Sequence, residues 1–190
     1  MSQNQEFVDF MSRAIGEIHQ DLKILFEMLD DAELSEHART RAAGAMLYLL
    51  APGDLIPDTF GLLGHVDDSL VLRMVMAVTL SEASERVEHY HRRYPEVFDT
   101  LDQDLAVAAG YLGDCYPWLE EWLEKLEKLE YKGKRPSIIV QDVEEGVWLY
   151  DEINEALLDV DFDDNEINRE MRRIDTILPL IREKMEASRR

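Results

Sequence analysis

A chain of 190 residues with 46% apolar and 8% aromatic side chains has the make-up of a folded protein, and at this length it can bury roughly 70% of its unfolded surface without staples. Its 41 acidic against 20 basic side chains leave a net charge of −21, shared by both halves: 18 against 8 up to residue 100, 23 against 12 beyond. Acidity spread this evenly repels phosphate backbones and anionic lipid, which argues against nucleic-acid and polybasic membrane binding and leaves a basic protein partner or a cation.

Cys115 is the single cysteine, so an internal disulfide and a cysteine-based zinc site are excluded and a reducing, cytoplasmic setting is expected. The first 22 residues lack a basic start followed by an apolar stretch, so no signal peptide is read there. The longest apolar runs, residues 42–51 and 70–80, fall short of the roughly 20 residues that cross a bilayer.

In chain order, Phe7, Met11, Ile15, Ile18, Leu22, Leu25 and Leu29 recur at steps of four and three, which predicts one amphipathic helix of about 25 residues. Asp30 and Asp31 mark a turn, and Ser35 stands where a second helix needs an N-cap. That helix runs to Leu50 and is stopped by Pro52 and Gly53. A third is predicted to start with Asp67 as its cap and to be central and buried, because residues 70–80 are apolar nearly all round, Arg73 excepted. Past Ser81 it turns polar and ends near Pro95.

A fourth helix is expected over residues 98–112, a break at Gly113 and Pro117, then a stripe of Trp118, Leu119, Trp122, Leu123, Leu126 and Leu129. Residues 131–136 read as a linker. Residues 137–140 have the make-up of a short strand, but a lone four-residue strand has nothing to pair with, so extended loop is expected. Helices over 142–158 and 165–185 close the chain, the second lined by Ile167, Met171, Ile174, Leu178, Ile181 and Met185 and kinked at Pro179. The fold class is therefore all-α, a bundle of about six to seven helices around a central apolar hairpin. An N-terminal part (1–95) and a C-terminal part (96–190) pack as one domain.

The stretch between the second and third helices is unlike the rest. Residues 47–72 place Asp54, Asp58, Asp67 and Asp68, two prolines and three glycines inside the most apolar third of the chain. Carboxylates among apolar residues are costly unless they cap, pair or bind metal. The order Pro52-Gly53-Asp54-Leu55-Ile56-Pro57-Asp58, then Gly64-His65-Val66-Asp67-Asp68 between two apolar runs, resembles the DUF1232 (YkvA-like) family over residues 41–80. The resemblance implies a helical hairpin but brings no established reaction.

Two readings of the four aspartates stand side by side. If their oxygens converge, an all-oxygen shell suits magnesium, manganese or calcium, with His65 a further ligand for manganese or iron. If they do not, Asp54 and Asp67 cap the turn and the third helix and Asp58 accepts loop N–H groups, each cap contributing roughly 1 kcal/mol. A second acidic stretch begins at Asp159 and continues through Asp161 and Asp163 to Glu170, with the spacing of an EF-hand calcium loop. Asp164 stands where that loop needs glycine, and the competing reading is an acidic turn capped by Asp163 or Asp164.

No Gly-x-Ser-x-Gly, phosphate-cradling glycine loop or His-Glu-x-x-His is present. Cys115 is expected as a buried bystander, and Trp118, Trp122, Trp148, Tyr116 and Tyr150 as core rather than as a partner surface. The expected function is a non-catalytic interaction or regulatory module. The alternative is a divalent-metal protein, hydrolytic in character, using the Asp54, Asp58, Asp67 and Asp68 cluster.

Overall fold

The structure is a computed structural model that describes residues 3–52, 55–157 and 163–189. The stripe from Phe7 to Leu29 is buried throughout, yet the expected single helix is two: α1 (Gln3–Gly16) and α2 (Ile18–Asp30). They part at Glu17, whose backbone (φ −101°, ψ 9°) leaves the helical region. Gly16 weakens the helix there, and the Glu17 side chain accepts a hydrogen bond from Arg73 at 2.7 Å.

The two helices that follow are the centre of the molecule. α3 (Glu36–Leu50) begins as predicted, with Ser35 Oγ accepting from the Ala38 N–H at 3.1 Å. α4 (His65–Glu82) returns alongside it. Neither has a polar face of any width: residues 40–48 of α3 and 66–76 of α4 are buried without interruption. Such helices need neighbours on every side. α3 has α2, α4 and three later segments around it, while α4 lies against α1, α2 and a later helix. On one side α3 is approached so closely that a Cβ at Gly44 would stand 2.5 Å from the Leu126 carbonyl oxygen. Glycine is the residue that permits this contact.

A 3-10 turn (Ser84–Arg86) and the short α5 (Val87–Arg93) lead to α6 (Pro95–Leu112). The third helix, expected to run on to near Pro95, stops at Glu82; α5 ends just before Pro95, which starts α6 at the first helical position, where its missing N–H costs nothing. Gly113 (φ 55°) ends α6 as expected, whereas Pro117 makes no break and sits in the first turn of α7 (Cys115–Trp122). A 3-10 turn (Leu123–Lys128) follows and carries Leu126 to Gly44.

Tyr131 and Lys134 then exchange two backbone hydrogen bonds (3.0 and 2.8 Å) around Lys132 and Gly133, both at positive φ. Residues 137–140 belong to α8 (Pro136–Gln141) rather than to an extended loop. Pro136 supplies the first helical position, and packing on α3 and α9 (Val143–Leu157) holds the rest. The expected closing helix is divided into α10 (Asp164–Glu170), a 3-10 turn (Met171–Thr176) and α11 (Ile177–Ser188). Pro179 falls in the first turn of α11, so the break lies upstream of it. Ile177 is buried in place of the expected Leu178, which is only partly covered.

The fold is thus all-α, with no strand among the described residues and more helical segments than the six to seven expected. One apolar cluster runs from Phe7 to Met185. No helix among the described residues is long and apolar enough to cross a membrane. Cys115 is free and buried. Trp118 is core, Trp122, Trp148 and Tyr116 are partly covered, and Tyr150 departs from expectation by being half exposed.

Candidate functional site

The loop between α3 and α4 is held from both ends. Tyr48, in the last turn of α3, donates its hydroxyl hydrogen to Asp67 Oδ2 at 2.5 Å, and the same hydroxyl oxygen accepts from the Leu55 N–H at 2.8 Å. Asp67 Oδ2 also accepts from the Ile56 N–H at 3.0 Å. Three groups distant in sequence thus satisfy one another in a place with almost no water, since Tyr48, Leu55, Ile56 and Asp67 are all buried. Burial, and after it the charge of Asp67, pushes the Tyr48 phenol far above its ordinary range, so it remains a donor. Its ring meets Trp122 edge to face at 5.1 Å.

Beyond Ile56 the chain enters a 3-10 turn (Asp58–Gly64) in which Gly61 (φ 63°, ψ −133°) takes a conformation closed to residues with a side chain. The expected N-cap role of Asp67 is corrected here. α4 begins at His65, two residues earlier, and Gly64 precedes it without a side-chain cap. Asp67 already lies in the first turn, so its carboxylate is free to reach back across the loop.

Of the four aspartates weighed for metal, Asp67 is thus committed to a phenol and a backbone N–H, and Asp68 Oδ2 lies 3.2 Å from His65 Nδ1. Asp58 opens the 3-10 turn. Its side chain, and the whole of Asp54, fall outside the described residues. In the calcium-loop candidate Asp159 and Asp161 also fall outside them. Asp163 caps α10, accepting from the N–H groups of Asn165 (2.9 Å) and Glu166 (3.1 Å). Glu170 pairs with Arg173 at 3.2 Å.

Two further constellations come from tertiary structure. Arg73, fully buried in the middle of α4, donates from Nε to Asp21 Oδ2 at 2.6 Å, besides its bond to Glu17. Burial pushes the Asp21 carboxyl up to about 7 against the pull of the Arg73 charge and hydrogen bond. For Arg73, burial works against its charged form, but Asp21 and Glu17 together outweigh it and hold the guanidinium more basic than usual. The signal in the sequence is the one cation inside the apolar run 70–80, although nothing there names its partners.

The other constellation lies at the far end of the α3–α4 hairpin from the loop. Ligand atoms of His37, Glu124 and Glu127 all lie within 4.8 Å of one another. His37 Nε2 is 2.6 Å from Glu127 Oε1, and Arg41 bridges to Glu82 at 3.1 Å. Among the described residues this is the group of three imidazole or carboxylate side chains close enough to hold a cation.

Residues 38–73 match the family model described as "Protein of unknown function (DUF1232)". The matched segment covers nearly all of α3, the loop and the first half of α4, and it contains Tyr48, Asp67 and Arg73. No curated protein and no solved structure matches the chain.

Proposed function

We propose that the chain is a non-catalytic interaction or regulatory module in which the DUF1232 segment is a scaffold. The observation that supports this most directly is the double use of Asp67 Oδ2 by Tyr48 and Ile56. An oxygen committed in this way to fixing a reversal has little to offer a metal-bound water or a substrate. The partner this reading expects is basic, since a net charge of −21 attracts cationic surfaces, and the setting it expects is the cytoplasm.

The reading is tested by melting the wild-type and Asp67→Ala proteins with and without magnesium, manganese and calcium, together with a phosphoesterase screen. The expected result is a lower melting temperature for Asp67→Ala, none of the cations raising that of the wild type, and no turnover. Turnover that disappears in a folded Asp67→Ala protein, or a cation-dependent stabilisation that needs Asp67, would replace the module reading with a hydrolase.

The divalent-metal alternative built on Asp54, Asp58, Asp67 and Asp68 has one observation near it, and that observation concerns other residues. The His37, Glu124 and Glu127 group offers one nitrogen and two carboxylates, a donor set suited to zinc or manganese. Arg41, close against His37 and Glu127, competes for the same carboxylate. Zinc or manganese titration of His37→Ala beside the wild type separates this metal reading from the first.

A further inference from the structure

α9 has one broad apolar face, and only part of it is used inside the chain. Leu149, Ile153 and Leu157 are buried. Val143, Val147 and Tyr150, spaced by four and three along the adjoining edge of that face, are exposed by 84, 56 and 53%. A helix of a folded domain ordinarily turns such a stripe inward.

The stripe borders a groove of about 370 Å³ between α2 and α8–α9, floored by Phe26, Leu29 and Ile139. A second groove of about 360 Å³ continues it along α2 toward Leu157. The two meet at Phe26 and Tyr150, whose rings touch edge to face at 5.3 Å.

Gly146 lies in the wall of this groove, between Val143 and Val147. A Cβ placed there would have nothing within 4 Å, and φ is not in the left-handed region. Glycine weakens a helix relative to alanine, yet neither packing nor backbone geometry within the chain requires it here. An occupant approaching this wall closely would.

Charge selects among occupants. α9 carries no basic residue, and besides Glu145 and Glu152, which pair with Lys134 and Lys132, it holds Glu144, Asp151 and Glu155; Asp30, Asp142 and Glu27, the last paired with Arg93, stand along the groove with Lys23 and Arg39. Arg39 is held at the groove's edge, its Nε donating to the Leu29 carbonyl at 2.6 Å. A second copy would bring the same acidic helix against this one, and an anionic membrane would be repelled.

We infer that the α2–α9 groove docks an amphipathic helix whose polar face is basic and whose apolar anchors repeat at i, i+4 and i+7. From Val143 to Leu157 the groove follows about 21 Å of helix, which an occupant of four turns matches. The inference rests on the interaction-module reading and names the surface and the partner class.

The test uses the full chain and a labelled 18-residue peptide with leucine anchors at helical spacing and lysine or arginine elsewhere, followed by fluorescence anisotropy. Controls are a scrambled peptide of the same composition and one with glutamate in place of each basic residue. Saturable binding of the first peptide alone is expected, weakening as salt rises and falling at least tenfold in Gly146→Leu and in Val147→Asp. Gly146→Leu should melt no lower than the wild type, so lost binding cannot be lost fold.

Equal binding of the scrambled peptide, or unchanged affinity in both variants, overturns the inference. So does a dimer by sedimentation that Gly146→Leu dissociates, or flotation on anionic vesicles that Val147→Asp abolishes. Any of these failures leaves the module reading to be judged by the cation and turnover measurements on Asp67.

Discussion

The Tyr48 hydroxyl, 2.5 Å from Asp67 Oδ2 and 2.8 Å from the Leu55 nitrogen, ties the last turn of α3 to both the loop and the first turn of α4. Tyr48→Phe keeps the ring against Trp122 and removes only the oxygen. It leaves a buried N–H and one carboxylate position without their partner, a loss of about 2 kcal/mol. Urea denaturation followed by circular dichroism should show the midpoint falling with the m-value unchanged. An unaltered midpoint would mean that the loop is not held by this hydroxyl.

The Arg73 and Asp21 pair bears on stability in a different way. Removing one partner strands a buried charge and costs about 3–5 kcal/mol, whereas replacing both with apolar residues of similar volume is often close to neutral. Asp21→Leu alone, which strands the Arg73 charge, should therefore be severely destabilised, and Asp21→Leu combined with Arg73→Met should recover most of the loss. The double-mutant cycle reads the coupling directly. Additive losses would show that the two side chains act independently.

What was legible in the sequence followed periodicity and end signals. The Ser35 cap, the stop at Pro52, the apolar helix over residues 70–80 and the Asp163 cap each rest on neighbours a few residues away, and each stands in the structure. The partners of Asp67 and Arg73 were not legible, because Tyr48 lies 19 residues and Asp21 52 residues distant, and only the packing of α4 on α3 and on α2 brings them together. The same limit explains α8. Ile138, Ile139 and Val140 read as β-formers, and a proline at the first helical position together with contacts on α3 overrides that preference.

Asp21 also sets a pH dependence. A carboxyl whose folded pKa is raised stabilises the fold while protonated. That contribution is whole below its ordinary value of 3.8 and is lost as pH climbs through about 7. Between pH 6 and 8 the wild type should lose about 1 kcal/mol from this group, and Asp21→Asn should flatten the slope. Asp31 works in the opposite sense. Against the push of burial, the Glu33 N–H and hydrogen bonds from Tyr90 and Arg86 hold its carboxyl below the usual range, so its contribution disappears only in acid. Thermal melts across the window distinguish the two, since a stability that rises from pH 6 to 8 contradicts the role given to Asp21.

The same substitution at two glycines should give opposite signs. Gly44→Ala drives a methyl to 2.5 Å from the Leu126 carbonyl oxygen, a backbone atom of a packed turn, and overpacking of this kind costs about 1–3 kcal/mol. Gly146→Ala meets open space and should gain about 0.5–1 kcal/mol from helix propensity. Equilibrium unfolding of the two variants separates close packing inside the chain from room kept at its surface. A loss at Gly146 would mean that the wall of the α2–α9 groove is already filled in the folded protein, and a gain at Gly44 would mean that α3 and the Leu123–Lys128 turn are not in contact there.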